Sequence, residues 1–279
     1  MMRMVRVAVA LTTAVMGLFV VGSAVPASAA INPRTLTTAQ VRVNGAAQDG
    51  LASGNVACPA GSKVIAAGLG HARMTGLIPR PDFNGVIASG APQGTGADQF
   101  MVIQVTCAPN DQLAGFTQKQ VMFPFSGSVL RRGVVSCPAG TYAIGGGGMM
   151  FNSRGGISAS VPMVANTPTA DGSGWQVTVL DAIQSDTLTV STQCAPKDTS
   201  TLRQATFDVN TASSNEIDCG ITGLSFGAGL LVVGPDGTEA QDGSLTQLTQ
   251  LGTRGWFTAG TSPTAGSRLV VRIRCVEPT

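Results

Sequence analysis

Few residues in this chain have chemical reach. Glu216 and Asp218 alternate on one face of a short strand beside Cys219, and Asp236 and Asp242 follow on turns. Two carboxyl groups held about 5–9 Å apart can hydrolyse a glycoside. The competing reading is a solvated strand face and a Pro235-Asp236-Gly237 turn, where aspartate bonds its own backbone. The same acids lack the regular spacing of a calcium loop. His71 is the single histidine. A catalytic or metal-bound histidine needs partners, and no Gly-x-Ser-x-Gly elbow supplies a nucleophile for it. It reads as a turn residue, with Met150 and Leu231 near the same place in the later copies. The glycine runs contain no phosphate loop. The sequence therefore assigns no catalytic residue, no metal ligand and no cofactor.

The chain has two tryptophans, Trp175 and Trp256, each preceded by glycine. They are the ligand-binding candidates, as stacking platforms for sugars. The opposing reading makes them core anchors. In Trp175-Gln-Val-Thr-Val, alternation groups Trp175 with Val177 and Val179, the pattern of a buried face. Trp256 shares its face with Thr258 while Phe257 takes the other, so the third copy is ambiguous.

The remaining chemistry is sulfur. Six cysteines, Cys58, Cys107, Cys137, Cys194, Cys219 and Cys275, give an even count, and no Cys-x-x-Cys pair is present. In an exported chain that reads as disulfides. An internal repeat reduces the possible pairings to one. Cys58-Pro-Ala-Gly and Cys137-Pro-Ala-Gly recur as Cys219-Gly-Ile-Thr. Val56, Val135 and Ile217 stand two residues before these cysteines. Ile65, Ile144 and Phe226, then Gly68, Gly147 and Gly229, follow at equal spacing. The second cysteine of each copy closes an alternating strand: Ile103-Val105-Cys107, Val190-Thr192-Cys194 and Val271-Ile273-Cys275. Each copy opens with a Gln-led strand at Gln40, Gln120 and Gln204. The register pairs Cys58 with Cys107, Cys137 with Cys194 and Cys219 with Cys275. A loop of about 50 residues closed this way is worth roughly 4 kcal/mol.

Short strands rich in Thr, Ser and Val, punctuated by 36 glycines, must position these groups. No helical period appears after residue 30. The expected fold is all-β: three tandem disulfide-stapled antiparallel β modules of about 80 residues, built as small sandwiches. The alternative is one pseudo-threefold β-prism. In the second copy the strands are expected at Gln120–Phe125, Arg132–Cys137, Thr141–Met150, Gly156–Val164, Trp175–Leu180 and Leu188–Cys194. The glycines from Gly145 to Gly148 imply a bulge or the close approach of another backbone.

The N-terminus reads as an export signal. Arg3 and Arg6 precede an apolar run from Val7 to Val21, and Ala27-Ser28-Ala29 fits a small-residue cleavage site. The expected organisation is a signal peptide at 1–29 and β modules at 30–110, 111–197 and 198–279. Loss of both signal arginines takes the formal net charge from +2 to zero. A neutral chain lacks the electrostatic footprint of a nucleic-acid binder. No later run reaches the roughly 20 apolar residues of a membrane span.

The Cys-Pro-Ala-Gly-x-x-x-Ile-Gly-Gly-Gly segment, the later Gly-Trp and the closing Cys-Ala-Pro resemble a repeat of secreted actinobacterial proteins that carries no assigned function. The likeness covers most of the chain after the signal and is fullest in copy two. The three Cys-led repeats are also similar to the vitelline membrane outer layer protein family, whose Cys-Pro-x-Gly β repeats form a β-prism. Here each copy is longer, and Gly-Gly mostly replaces Gly-Phe. That likeness implies the prism and no site. The functional expectation is a secreted, non-enzymatic, extracellular or envelope-associated binding or structural protein whose ligand the sequence does not name, an extracellular glycan or a cell-envelope component being the candidate partners. The alternative is a carboxylate-dependent hydrolase.

Overall fold

The computed structural model describes residues 31–276 except 46–49, 95–98, 125–128, 159–160, 181–185, 198–199, 210–214 and 222. The export signal expected over 1–29 lies outside the described residues. Copy one forms β1 (Thr37–Asn44), β2 (Ala52–Ala57), β3 (Ser62–Gly70), β4 (Ala72–Pro79), β5 (Gly85–Pro92) and β6 (Phe100–Pro109). Copy two forms β7 (Thr117–Phe123), β8 (Leu130–Ser136), β9 (Thr141–Phe151), β10 (Met163–Pro168), β11 (Gly174–Leu180) and β12 (Thr187–Pro196). Copy three forms β13 (Thr201–Asp208), β14 (Asn215–Asp218), β15 (Leu224–Val233), β16 (Ser244–Leu251), β17 (Gly255–Thr261) and β18 (Arg268–Val276). The protein is all-β, and among the described residues the helical pieces are short 3-10 turns.

The strands form three six-stranded antiparallel sheets, and each sheet is shared by two copies. The orders are β1-β6-β3-β16-β17-β14, β2-β5-β4-β9-β12-β7 and β13-β18-β15-β10-β11-β8. Each copy gives its first, sixth and third strands to one sheet and its second, fifth and fourth to the next. The ring closes when copy three returns to copy one, which is the prism arrangement. The bonds Cys58–Cys107, Cys137–Cys194 and Cys219–Cys275 each staple one copy to itself across two sheets.

The third strands β3, β9 and β15 contact one another along the axis. Here the glycine runs find their reason. A Cβ on Gly147 would lie 1.8 Å from the Leu77 carbonyl oxygen of copy one, and one on Gly68 would lie 2.0 Å from the Leu248 oxygen of copy three. Gly229 faces the Asn166–Thr167 backbone in the same way. The third strands are also bulged between Val64 and Ala66 and between Phe226 and Ala228. In β9 the ladder to β12 shifts register beside Gly145, between Gln193 and Cys194, so the Gly145–Gly148 run has both the bulge and the close approach. Ile65, Ile144 and Phe226 meet at one end of the axis with Ala108, Ala195 and Val276.

The main core is continuous through all three copies, from Leu77 through Val177 to Leu248. The closing strands bury Ile103, Val105 and Cys107 and their counterparts on one face, as period two requires. In β12 the other face is closed as well, since Thr189, Ser191 and Gln193 are buried. The fourth strand of copy two differs from expectation. It begins at Met163, because Asn152 Oδ1 accepts bonds from the Arg154 and Gly156 amides and holds that stretch as a turn. Gly68 to Gly70 continue β3, and His71 itself makes the turn at φ 58°.

Candidate functional site

Both tryptophans are enclosed, which corrects their assignment as surface ligand-binding residues. Trp175 is 2% exposed and Trp256 1%. Trp175 pairs with Val135, and Trp256 pairs with Ile217, so the aliphatic before each first cysteine stands opposite each ring. The Trp175 Nε1 donates to Asn166 Oδ1 at 2.7 Å. No ring face is left for a sugar.

The carboxylates do not converge on one site. Glu216 and Asp218 are exposed on the edge strand β14 and line one open concavity with Ile221 and Arg254. Asp236 and Asp242 line another with Glu239 and Thr264. The Thr238 amide, then its hydroxyl, donate to Asp236 and hold its carboxyl below the ordinary range. The Thr264 and Ser262 hydroxyls do the same for Asp242. A general acid needs the opposite shift, because it must keep its proton near neutrality. His71 is exposed, with its ring 4.7 Å from that of Phe100, over which Arg42 also stacks at 3.8 Å. Among the described residues no cluster of His, Cys, Asp and Glu could hold a metal ion.

The better-enclosed concavity lies where copies one and two meet. It measures about 160 Å³ and is lined by Lys63, Val64, Phe83, Asn110, Leu113, Phe116, Thr117 and Gln193. The β4–β5 hairpin brings Phe83, β3 brings Lys63 and Val64, and β12 brings Gln193. The linker between the copies brings Asn110, Leu113 and Phe116. Gln193 is 3% exposed. Its Nε2 donates to the Val64 carbonyl at 2.7 Å, and its Oε1 has no partner among the described residues. The Lys63 ammonium donates to the Asp82 carbonyl at 2.9 Å and lies 5.6 Å from the Phe83 ring centroid. Among the described residues no carboxylate pairs with it.

The two other seams are built to the same plan. The Val64 amide donates to the Phe83 carbonyl, as Ala143 does to Gly172 and Ser225 to Thr253. These bonds fix the equivalences. Where copy two has Gly172 at φ 70°, copy one has Phe83 at φ 59°. Left-handed backbone costs a residue with a Cβ about 1–2 kcal/mol, and a bulky residue there is an outlier. Across from Gly172 stands Arg274, the counterpart of Gln193. Its guanidinium lies 4.1 Å over the Tyr142 ring and donates to the Gly172 carbonyl and the Ser200 hydroxyl. At the third seam Thr106 donates to Gln250 Oε1, while Gln250 Nε2 reaches the Ser225 carbonyl. A long side chain thus bridges each of these two seams, whereas the first holds the cleft.

Sequence reasoning missed this cleft, although one signal was present. Aligning on Gly85 and Gly174 sets Asp82-Phe83-Asn84 over Asp171-Gly172-Ser173, with phenylalanine where a turn wants glycine. No family model matches this chain, and no curated protein matches it. No helix among the described residues is long and apolar enough to cross a membrane.

Proposed function

We propose that this chain is a secreted, non-enzymatic binding protein of the extracellular space or cell envelope, with a glycan as its ligand. The observation that carries this reading is the open seam between copies one and two. Aromatic and amide side chains converge there at a depth that suits one small group. Three disulfides suit an oxidising compartment, and the closed strand-sharing ring suits a rigid scaffold. Kinship with the repeat of secreted actinobacterial proteins, and with the vitelline membrane outer layer family, belongs to the proposal and rests on motif residues alone. The carboxylate hydrolase is the weaker reading, because the acids are split between the exposed edge strand β14 and the turns of another concavity, and the two that are perturbed are held ionised. The oxidised mature chain should bind one or more saccharides saturably on an array of neutral and acidic glycans and envelope polysaccharides. Absence of binding across that array, or release of reducing ends from any of its members, overturns the proposal.

A further inference from the structure

We infer that Met122 is the site at which this protein takes up oxygen from peroxides, and that the modification turns an apolar corner of the prism polar. After residue 30 the methionines are Met74, Met101, Met122, Met149, Met150 and Met163. Met122 is 69% exposed, whereas the other five are fully buried. A peroxide must approach the sulfur to oxidise it, so exposure sets the order of attack. The buried set is sheltered further by its neighbours. The Met150 sulfur accepts from the Arg131 guanidinium at 3.9 Å, and Met149 packs against Gly76.

Strand geometry puts the exposed sulfur where it is. β7 is the edge of its sheet and pairs with β12 alone. Met122 stands opposite Thr189, while Phe123 beside it packs on the core. The counterparts of Thr189 are Val102 and Val270, whose partners are Arg42 and Thr206. Methionine thus holds a place that carries polar side chains in the other two copies. Strand β8 departs in the same sense. Val134 precedes Val135 where Asn55 precedes Val56 and Glu216 precedes Ile217. The Lys119 ammonium donates to the Ser136 carbonyl, and Gly133 lies against Phe123. Between those two contacts, β7 and β8 bring the exposed Val121 and Met122 alongside the exposed Val134. The corner of copy two is therefore apolar at positions that are polar in copies one and three.

The step is an oxygen-atom transfer. A lone pair of the Met122 sulfur attacks one oxygen of a hydroperoxide, an S–O bond forms and the O–O bond breaks. The proton on the attacked oxygen passes to the leaving oxygen. The thioether is oxidised to a sulfoxide, and the hydroperoxide is reduced to an alcohol, or to water when it is hydrogen peroxide. The product is a polar tip in place of an apolar one. On an edge strand that tip meets solvent, so the fold is not disturbed. Oxygen added to a buried sulfur would instead enter a close-packed core.

The disulfide-bonded mature chain, Met122→Leu and Met122→Gln are treated with hydrogen peroxide. Intact mass, peptide mapping and hydrophobic-interaction chromatography read the result. The wild-type chain should gain a single oxygen, mapped to Met122 at least about tenfold faster than to any other methionine, with its melting temperature unchanged. The sulfoxide form should elute earlier, near Met122→Gln, and methionine sulfoxide reductase should restore the original retention. Met122→Leu should take up no oxygen over the same interval and keep its retention. In urea all the methionines should react at similar rates, because the fold no longer shields five of them. Oxygen mapped first to a buried methionine, or equal rates in the folded chain, would overturn the site. Retention that oxidation leaves unchanged would overturn the change of polarity.

Discussion

Gly147→Ala tests the sharing of sheets between copies. The new Cβ would sit 1.8 Å from the Leu77 carbonyl oxygen, whereas a carbon normally approaches such an oxygen to about 3.3 Å. Strand β4 would have to retreat from β9 by roughly 1.5 Å. The obstacle is backbone, so no side-chain rotation relieves it. The Leu77–Gly148 pairing that joins these strands would open, and Leu77 would leave a fully buried position in the core. Overpacking costs about 1–3 kcal/mol where side chains can adjust, so a rigid clash should cost about 3 kcal/mol or more. Gly140→Ala is the control. It has φ +83° with nothing within 4 Å of the new carbon, and should cost about 1–2 kcal/mol through conformation alone. Urea unfolding followed by tryptophan fluorescence, with the disulfides intact, reads both values from the midpoints at constant slope. If Gly147→Ala is no more costly than Gly140→Ala, strand β9 does not lie against copy one, and the shared-sheet reasoning fails.

Replacing Cys137 and Cys194 together by alanine opens a loop of 57 residues and should remove roughly 4 kcal/mol, read from the same urea midpoints; a loss under about 1 kcal/mol would show that the core alone constrains that copy. Both tryptophans should emit in the blue and resist acrylamide, and Trp175→Ala should cost about 3–5 kcal/mol; a red, quenchable Trp175 would contradict its burial. The Thr169 hydroxyl, then the Ser173 amide and hydroxyl, lower the Asp171 pKa from 3.8 to about 2. Because the folded value lies below the unfolded one, the contribution of these bonds is full above about pH 4 and fades as pH falls through about 2. NMR titration of the Thr169 and Ser173 signals should give that midpoint, and one near 3.8 would show that the hairpin does not hold the ionised carboxyl.

Strand alternation and cysteine register were legible because both are local. Ile103-Val105-Cys107 needs only period two to declare a buried face, and the repeat needs only equal spacing to pair Cys58 with Cys107. The sharing of sheets was not legible, because Leu77 and Gly147 are distant in sequence and nothing in either strand names its partner copy. The glycines signalled a close approach without saying of what. Trp256 was ambiguous because Phe257 beside it is also apolar, and alternation cannot rank two aromatic neighbours. The cleft escaped for another reason. Its defining residues, Phe83 and Gln193, are departures from the repeat, and a reading that searches for recurrence passes over them.

The strand-sharing ring has no first member, since copy three hands strands back to copy one. Ile31 and Val276, at the two limits of the described chain, are buried in the same small apolar cluster. The order in which the copies are written in the gene is therefore incidental to the body they build. A circular permutant joined from Val276 to Ile31 by a short linker, and reopened between β12 and β13, would keep every sheet, seam and sulfur bridge.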